Sequence, residues 1–333
     1  MKRKLLLVLA FLFLLPSFQT RAADHAVVVM YHRFGENNIP STNIRLEQFE
    51  AHLKHLKDGG YLVLPLSQIA EALASGKELP EKAVAITIDD AYASVYKQAW
   101  PRLKAYGFPA TLFVTTKDVD GGSKLYMTWE QLRDLAKDGL EIGNHSATHP
   151  HMADMKLDDV RQEFERSQQR FKDELGFAPQ LMAYPYGEAS LAVIDIAWRA
   201  GFKVGFGQHS GVVFQGGPLF YLPRFALNEH YGDLERFKRT VDTLPLPVTQ
   251  ILPADPALKT APSQFVLTLR DDPPKGLHCF DAVGTPARLE IDGRTVTVLL
   301  QKPFGPGRGR LSCTAPANGN RWHWFGHQVV VAP

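Results

Sequence analysis

The sequence predicts an α/β fold with a parallel sheet, followed by a small all-β domain. Seven apolar, strand-like runs alternate with amphipathic helical stretches over the first two thirds of the 333-residue chain, a pattern typical of parallel α/β folds. A Pro-rich segment then interrupts the alternation, and short β-branched runs separated by Gly, Pro and Asp turns follow it. With 45% apolar and 22% charged residues, the chain can fill one large core and one small core.

The first residues are typical of an export signal. Residues 2–4 are basic, the run 5–15 is apolar, and small residues follow at Ala22 and Ala23. The apolar run is shorter than the roughly 20 residues that a membrane-spanning helix needs. We therefore expect cleavage near Ala22 and an exported protein, periplasmic or extracellular, with no stable membrane span; an uncleaved anchor is the alternative.

The net charge changes sign once this segment is set aside. The whole chain has 37 basic and 35 acidic residues, and removal of the four basic residues at positions 2, 3, 4 and 21 leaves 33 basic residues and a formal charge of −2. A nucleic-acid binder needs a clustered basic face, so we expect no nucleic-acid partner.

Each predicted element is read from its periodicity. Four apolar residues recur at helical spacing before Gly59, which predicts a helix there, and a second apolar stripe predicts a helix over 157–175 that ends at Gly176. The seven predicted strands are 26–31, 61–66, 83–88, 110–115, 140–143, 181–184 and 203–206.

Composition divides the chain into four parts. Residues 1–22 are the expected signal, and 23–243 are the α/β domain. The Pro-rich segment 244–262 cannot hold a helix or a central strand and is predicted to be a linker. Residues 263–333 are predicted to form a small β-sandwich-like domain.

The last part carries both cysteines of the chain, Cys279 and Cys313. In an oxidising compartment we expect them to form a disulfide, with two buried thiols as the alternative. Trp322 and Trp324 stand in an aromatic run near the C-terminus, which suits either sugar stacking or, as we favour, core packing.

Two adjacent carboxylates, Asp89 and Asp90, follow the third apolar run. Parallel α/β folds place active sites at the carboxyl ends of their strands. Because successive strand residues point to opposite faces, both can serve one site only if the strand ends here and the backbone turns. One carboxylate can then ligate a metal ion while the other accepts a proton from water.

Two histidines, His145 and His149, also follow a predicted strand. Histidines four apart on a helical turn project to one side and can bind one divalent ion through both imidazoles. Ser146 stands where the zinc protease motif has glutamate, so the base has to come from elsewhere, and the Asp pair can supply it. Three protein ligands with one open position are the pattern of a catalytic zinc site.

A third motif, 184–187, follows another strand. Pro185 stiffens the turn and Gly187 allows close backbone approach, so an N–H near Tyr186 can face a developing oxyanion. Each motif alone also fits a duller explanation, such as a helix cap, a surface turn or packing. Their occurrence at three strand ends of one domain favours a catalytic site.

At these motifs the sequence resembles the polysaccharide deacetylase family, carbohydrate esterase family 4, over residues 26–241. The resemblance rests on Thr-x-Asp-Asp ending at Asp90 and on His-Ser-x-x-His at 145–149. It implies a distorted barrel of seven β/α units, which agrees with the seven runs, so the expected fold is a distorted (β/α)7 barrel with a small C-terminal all-β domain.

The resemblance also implies the chemistry. It assigns the general base to Asp89, an oxyanion-hole amide to Tyr186, and the ligation of a divalent metal ion, expected to be zinc, to Asp90, His145 and His149. The implied reaction is hydrolysis of acetyl groups, N-acetyl first, on an envelope or extracellular acetylated polysaccharide such as a poly-N-acetylglucosamine-type glycan.

Other positions resemble the family less closely. The segment 30–34 looks like the Tyr-His segment of branches that act on exported poly-N-acetylglucosamine-type glycans, which places His32 at the rim of the site as a substrate-binding residue; a capping role on the first strand is the alternative. Ala91 replaces the usual glycine after the Asp pair, which is tolerable if the backbone there is helical.

Two catalytic functions of the family lack their usual residue in this sequence. Ala183 replaces the arginine that orients the base in the family; Arg224 is a candidate substitute, and together with Tyr184 a candidate substrate contact. The late Leu-x-His motif that supplies the general acid has no clean match, and His209 is the best candidate by position. These departures leave a carbohydrate-binding pseudoenzyme on a deacetylase fold as the alternative function.

Overall fold

The structure, a computed structural model, describes residues 22–36 and 39–333. Residues 1–21, which hold nearly all of the expected signal segment, lie outside the described residues. Among the helices that are described, none combines the length and apolarity needed to cross a membrane.

A curled sheet forms the centre of the first domain. The strands of this domain are β1 (Ala22–Ala23), β2 (His25–Tyr31), β3 (Arg33–Phe34), β4 (Asn43–Ile44), β5 (Leu62–Val63), β6 (Leu79–Pro80), β7 (Ala83–Asp89), β8 (Thr111–Val114), β9 (Glu141–Asn144), β10 (Leu181–Ala183), β11 (Val204–Phe206), β12 (Val213–Phe214) and β13 (Phe225–Ala226). Nine of them form one sheet in the order β11-β10-β9-β8-β7-β2-β12, with β5 beside β7 and β13 beside β2. All seven predicted strands lie in this sheet, and from β2 to β11 neighbouring strands run parallel.

Helices connect these strands. They are α1 (Leu46–Asp58), α2 (Leu66–Ser75), α3 (Trp100–Tyr106), α4 (Thr116–Asp120), α5 (Trp129–Lys137), α6 (Leu157–Leu175), α7 (Leu191–Arg199) and α8 (Leu234–Val241), with a π-helical turn at Val95–Ala99 and 3-10 turns at Met152–Asp154, Pro185–Gly187 and Asn318–Asn320. The two predicted helices are confirmed as α1 and α6, and Gly176 ends α6 in the left-handed conformation. The distorted (β/α) barrel is therefore confirmed.

Alternation along β7 decides which of its residues face the interior of the barrel. Val84, Ile86 and Ile88 pack with residues of α1, α3 and α5, whereas Ala83 and Ala85 pack with the interior residues of the other strands. Since side chains alternate along a strand, position 89 faces the interior as well.

Two smaller sheets form the C-terminal domain. Its strands are β14 (Leu244–Pro245), β15 (Val248–Leu252), β16 (Ala257–Leu258), β17 (Gln264–Leu269), β18 (His278–Asp281), β19 (Arg288–Asp292), β20 (Thr295–Leu299), β21 (Gly307–Pro316) and β22 (Trp322–Val331). A core that includes Phe265, Val298 and Val329 joins the sheet β15-β17-β20-β19 to the sheet β14-β22-β21-β18. The expected disulfide is confirmed, because Cys279 and Cys313 are bonded across β18 and β21.

The segment 244–262, predicted to be a linker, contains three short strands. It contributes β14, β15 and β16 to the two sheets of the C-terminal domain. β14 and β15 are the end strands of their sheets, and β16 pairs with β22 alone. An edge strand needs backbone hydrogen bonds on one side only, so it tolerates proline where a central strand does not.

The aromatic run near the C-terminus is partly packed, as favoured. Trp324 lies edge-on to Phe225 of the first domain, with ring centroids 5.6 Å apart, while Trp322 keeps 41% of its surface exposed.

A buried histidine in the helical layer gives the fold a pH dependence. His52 Nε2–H donates to Gly232 O at 2.9 Å, so the Nδ1 of the neutral ring accepts from the Tyr31 hydroxyl at 2.9 Å. Burial, the largest influence, lowers the pKa of His52 to about 4. The unfolded chain takes up this proton near pH 6.5, so stability is complete above that pH and is lost as the pH falls towards 4.

We predict that His52→Gln flattens this dependence. Between pH 7.5 and pH 5 the loss of unfolding free energy should shrink by about 2 kcal/mol relative to wild type, because the variant has no imidazole to protonate. Urea denaturation followed by circular dichroism at the two pH values measures it. His278→Gln, at an exposed position, should leave the wild-type dependence in place; an equal change in both variants would contradict the assignment.

Candidate active site

The three polar motifs lie at one edge of the barrel sheet. Asp89 is the last residue of β7, His145 follows β9, and Pro185 follows β10. These strands are parallel members of one sheet, so their carboxyl ends open on the same side.

The Asp-Asp motif turns the backbone sharply. Asp90 (φ 75°) and Ala91 (φ 51°) are both left-handed, and Asp90 N–H donates to Phe113 O at 3.0 Å. The strand thus ends at the Asp pair, as it must if both carboxylates are to serve one site. The condition under which Ala91 would be tolerable, a helical backbone, is not met. This position has the left-handed conformation that favours the glycine usual in the family, at a strain of about 1 kcal/mol for alanine.

The two histidines lie on a loop rather than on a helical turn. Ser146 (φ 70°) and His149 (φ 57°) are left-handed, so the i, i+4 spacing is not that of a helix. Local side chains hold the loop: Ser146 N–H donates to Asn144 Oδ1 at 2.7 Å, and His149 N–H donates to Ser146 Oγ at 2.9 Å. The imidazoles therefore converge because of this loop geometry.

Glu163 of α6 anchors the same loop from outside. Its carboxylate is 1% exposed and accepts hydrogen bonds from the N–H groups of Ala147 (3.1 Å) and Thr148 (2.8 Å) and from the Thr148 hydroxyl. The sequence analysis missed this residue. Its place beside Phe164, on the apolar stripe of the predicted helix, could have indicated a buried acidic residue.

Three ligand atoms form a compact cluster. Asp90 Oδ1 lies 3.5 Å from His145 Nε2 and 3.6 Å from His149 Nε2. Two atoms bound about 2.1 Å from one zinc ion in tetrahedral geometry lie roughly 3.4 Å apart, so the cluster fits such an ion. Asp90, His145 and His149 are thus brought together as the sequence predicted.

The tautomer of His145 supports the same fit. Its Nδ1 lies 2.8 Å from Ala183 O and donates to it, which leaves Nε2 unprotonated and directed at the cluster. Nε2 is buried and has no hydrogen-bond partner among the described residues. Metal-ligating histidines commonly have this arrangement, with the second nitrogen fixed by a carbonyl. For His149, burial and then the nearby His145 lower the pKa to about 4, which favours the neutral imidazole that can ligate a metal ion.

Asp89 is fully buried and paired with Arg224. The guanidinium donates from Nη1 to Oδ1 at 2.7 Å and from Nη2 to Oδ2 at 2.9 Å, and Nε donates to Gly207 O at 3.0 Å. Burial alone would raise the pKa of Asp89, but Arg224 and His145 lower it to about 2. Arg224 is itself 0% exposed, so the expectation that it contacts substrate is wrong; it occupies the orienting place left by Ala183.

His32 lies beside this pair. Its Nε2 is 4.0 Å from Asp89 Oδ2, and its side chain retains 13% of its surface. It is placed at the site, as expected.

Tyr184 does not reach the site. Its side chain is 0% exposed and packs in the layer between β10 and helices α6 and α7. The prediction that it binds substrate is wrong, because Ala183 faces the barrel interior and the next residue along a strand faces the opposite side.

Tyr186, in contrast, adjoins the metal ligands. Its ring lies 4.5 Å from that of His149 and stacks on His151 at 3.9 Å. Its backbone is left-handed, with φ 58° and ψ 5°.

His209 is buried against the C-terminal domain. It is 4% exposed, and its ring packs against Tyr221 at 4.7 Å and lies 6.3 Å from His327 of the C-terminal domain. Burial and then His327 hold its pKa well below the usual range, which disfavours the imidazolium form that acts as a general acid. Its burial and its low pKa therefore argue against the predicted role of general acid.

One further carboxyl borders the site. Burial, with a contribution from the negative charge of Asp90, raises the pKa of Asp118 on α4. The strand-end rule applied to β8 could have found it, since Asp118 stands four residues beyond that strand.

Known proteins share this architecture. Residues 76–205 match the sequence profile of the polysaccharide deacetylase family. A putative polysaccharide deacetylase of Bacillus subtilis is 29% identical over 197 residues, which cover 59% of this chain and 69% of that protein. The poly-β-1,6-N-acetyl-D-glucosamine N-deacetylase of Escherichia coli K12 is 25% identical over 244 residues, which cover 61% of this chain and only 36% of that protein.

A solved structure agrees with the sequence matches. The Streptococcus pyogenes deacetylase PplD, in complex with acetate, superposes with a TM-score of 0.61 at 25% identity over 65% of this chain and 98% of that one. From the profile match, the relatives and this fold, we conclude that the barrel domain belongs to the polysaccharide deacetylase family and that the chain is a deacetylase hydrolase.

Proposed function

We propose that this chain is a metal-dependent hydrolase that removes N-acetyl groups from a poly-N-acetylglucosamine-type polysaccharide. The observation that carries the proposal is the placement of three ligand atoms, from Asp90, His145 and His149, beside the buried Asp89. The substrate class rests on the Escherichia coli relative, whose name specifies poly-β-1,6-N-acetyl-D-glucosamine and whose aligned part is about a third of its length.

The residues divide the work as follows. Asp90, His145 and His149 would hold a divalent ion, expected to be zinc, and the bound ion would supply Lewis acidity towards the acetyl carbonyl and water. Asp89, held ionised by Arg224, accepts a proton from the attacking water. The backbone N–H of Tyr186 donates to the oxyanion that develops on the carbonyl oxygen.

The leaving amine needs a proton, and His32 is the residue we propose for that step. It is the predicted substrate-binding residue, and its Nε2 lies 4.0 Å from Asp89 Oδ2, whereas His209 is 4% exposed and packs against Tyr221. Proton transfer through an imidazole suits a group that must both accept and donate near neutral pH.

The proposed site of action is outside the cytoplasm. The disulfide between Cys279 and Cys313 is typical of an oxidising compartment. The pseudoenzyme alternative rested on Ala183 and on the unlocated acid. The first of these two arguments no longer holds, because Arg224 orients the base from another position.

We predict that Asp89→Asn abolishes turnover but keeps the metal. The amide cannot accept the proton of water, so acetate release from poly-β-1,6-N-acetylglucosamine should fall by about 10²- to 10⁴-fold. Zinc affinity from chelator competition should change little, because Asp89 is not one of the proposed ligands. Asp159→Asn, on the exposed side of α6, is the matched control and should keep full activity. Full activity of Asp89→Asn would refute the role.

Zinc should also stabilise the folded chain. At a free zinc concentration of about 100 Kd, binding to the native state alone adds about 2.7 kcal/mol of unfolding free energy. We expect this shift in wild type and in Asp89→Asn, and its loss in His145→Gln, in thermal denaturation of chelator-treated protein. A wild-type shift that persists in His145→Gln would place the ion elsewhere.

Substrates with different leaving groups test His32. His32→Gln should lower acetate release from the N-acetyl glycan by at least tenfold, since an amine must be protonated to leave. Hydrolysis of an aryl acetate, whose phenolate leaves without a proton, should stay within about threefold of wild type, because acid assistance is not needed there. A parallel loss on both substrates would indicate substrate binding instead of acid catalysis.

A further inference from the structure

A buried amide of the C-terminal domain donates hydrogen bonds to the turn of the third motif, 184–187. Gln328 of β22 is 0% exposed. Its Nε2 donates to Tyr186 O at 3.0 Å and to Gly187 O at 2.9 Å. Both N–H bonds of this amide group are therefore directed at the backbone of the turn that carries the proposed oxyanion donor.

The turn has a conformation that requires support. Tyr186 (φ 58°) and Gly187 (φ 68°) are consecutive left-handed residues, and the first of them has a Cβ. At Gly187 a Cβ would lie 2.4 Å from the backbone N of Gln208, so only glycine fits between the two segments. Strained backbone of this kind persists when the surrounding structure over-determines it.

Gln328 is itself rigidly placed. Its Oε1 accepts from Nε of Arg310, the residue directly opposite on β21, at 3.1 Å. Two residues earlier on β22, Gly326 packs so closely on the first domain that a Cβ there would lie 2.0 Å from Ser210 O. The strand cannot shift without breaking this contact, so the amide is held at a fixed distance from the turn.

A second contact from the same domain restrains the Tyr186 ring. Glu188, 3% exposed, accepts from His151 Nδ1 at 2.7 Å and lies 3.5 Å from Nε of Arg308 on β21. The His151 ring lies parallel to that of Tyr186, with 3.9 Å between centroids and 4° between planes. Backbone and ring of Tyr186 are thus both fixed by groups linked to β21 and β22.

We propose that Gln328 is a positioning residue for deacetylation, and that the C-terminal domain completes the active site by holding the Tyr186 amide in place. The proposal rests on the proposed function of that amide. A donor misplaced from the oxyanion weakens an interaction made mainly in the transition state, so kcat should fall while substrate affinity changes little. Zinc binding should be unaffected, because none of the three ligands lies on this turn.

Gln328→Met tests the proposal, since methionine has a similar length and volume but no N–H. Acetate release from poly-β-1,6-N-acetylglucosamine by the zinc-loaded full chain should show kcat lowered about tenfold, with KM and zinc Kd within twofold of wild type. The matched control is Gln301→Met. Its amide also donates to a backbone carbonyl, that of Pro286, but within the C-terminal domain, so kcat should be unchanged.

The outcomes separate the possible failures. A kcat for Gln328→Met within twofold of wild type overturns the role of Gln328, as does a loss that follows zinc affinity or the folded fraction measured by circular dichroism. If methionine unfolds the domain, Gln328→Asn keeps the amide one methylene short of both carbonyls and must show the same fall in kcat. Wild-type protein that releases no acetate overturns the proposed function itself.

Discussion

Asp89 is a carboxylate with no exposed surface, and the rest of the site depends on its pairing with Arg224. An unpaired buried charge would be strongly destabilising, and in practice such a group protonates. The bidentate guanidinium keeps Asp89 ionised, and the same side chain donates to Gly207 O and Thr87 Oγ1. Arg224 therefore joins the ends of β7 and β11 to the segment before β13. The same side chain fixes the edge of the sheet that carries the candidate site and keeps Asp89 ionised.

The three turns of the candidate site, at 89–91, 145–149 and 184–187, are built in a similar way. Each contains a left-handed residue other than glycine, at Asp90, His149 and Tyr186 among others, so each stores strain at the carboxyl end of a strand. Two of them are also held by a buried polar side chain from a different part of the chain. Glu163 of α6 holds the histidine loop, and Gln328 holds the Tyr186 turn. Packing in other parts of the chain thus fixes the positions of a few ligand and donor atoms.

Local patterns were sufficient for much of this molecule. The seven apolar runs predicted the sheet, because buried parallel strands need continuous apolar sequence. The positions of Asp89, Asp90, His145 and His149 at strand ends predicted that they meet. Their local conformation was not predictable in this way, since the i, i+4 spacing that suggested a helical turn is equally met by a loop with two left-handed residues.

The errors lie where contacts are distant in sequence or where a local rule was left unused. His209 follows the last predicted strand, but nothing near it reveals that the C-terminal domain packs over its ring. Arg224 lies 135 residues from its partner, so no local pattern could give its role. Tyr184 differs from these cases. The alternation rule, applied from Ala183, would have turned its side chain away from the site.

The contact between the two domains is more polar than stability alone would favour. Burial, with a contribution from the charge of Arg308, lowers the pKa of Arg310, so this guanidinium sits in an unfavourable environment. Its partner Gln328 is fully buried, and well-packed apolar residues often replace buried polar groups without loss of stability. Elements that violate local rules in this way are expected at functional sites, where stability has been given up for geometry. The Arg310–Gln328 pair fits that description, because the amide it fixes ends on the backbone of the turn beside the metal ligands. A C-terminal domain with no role in the site would not require this buried polar pair.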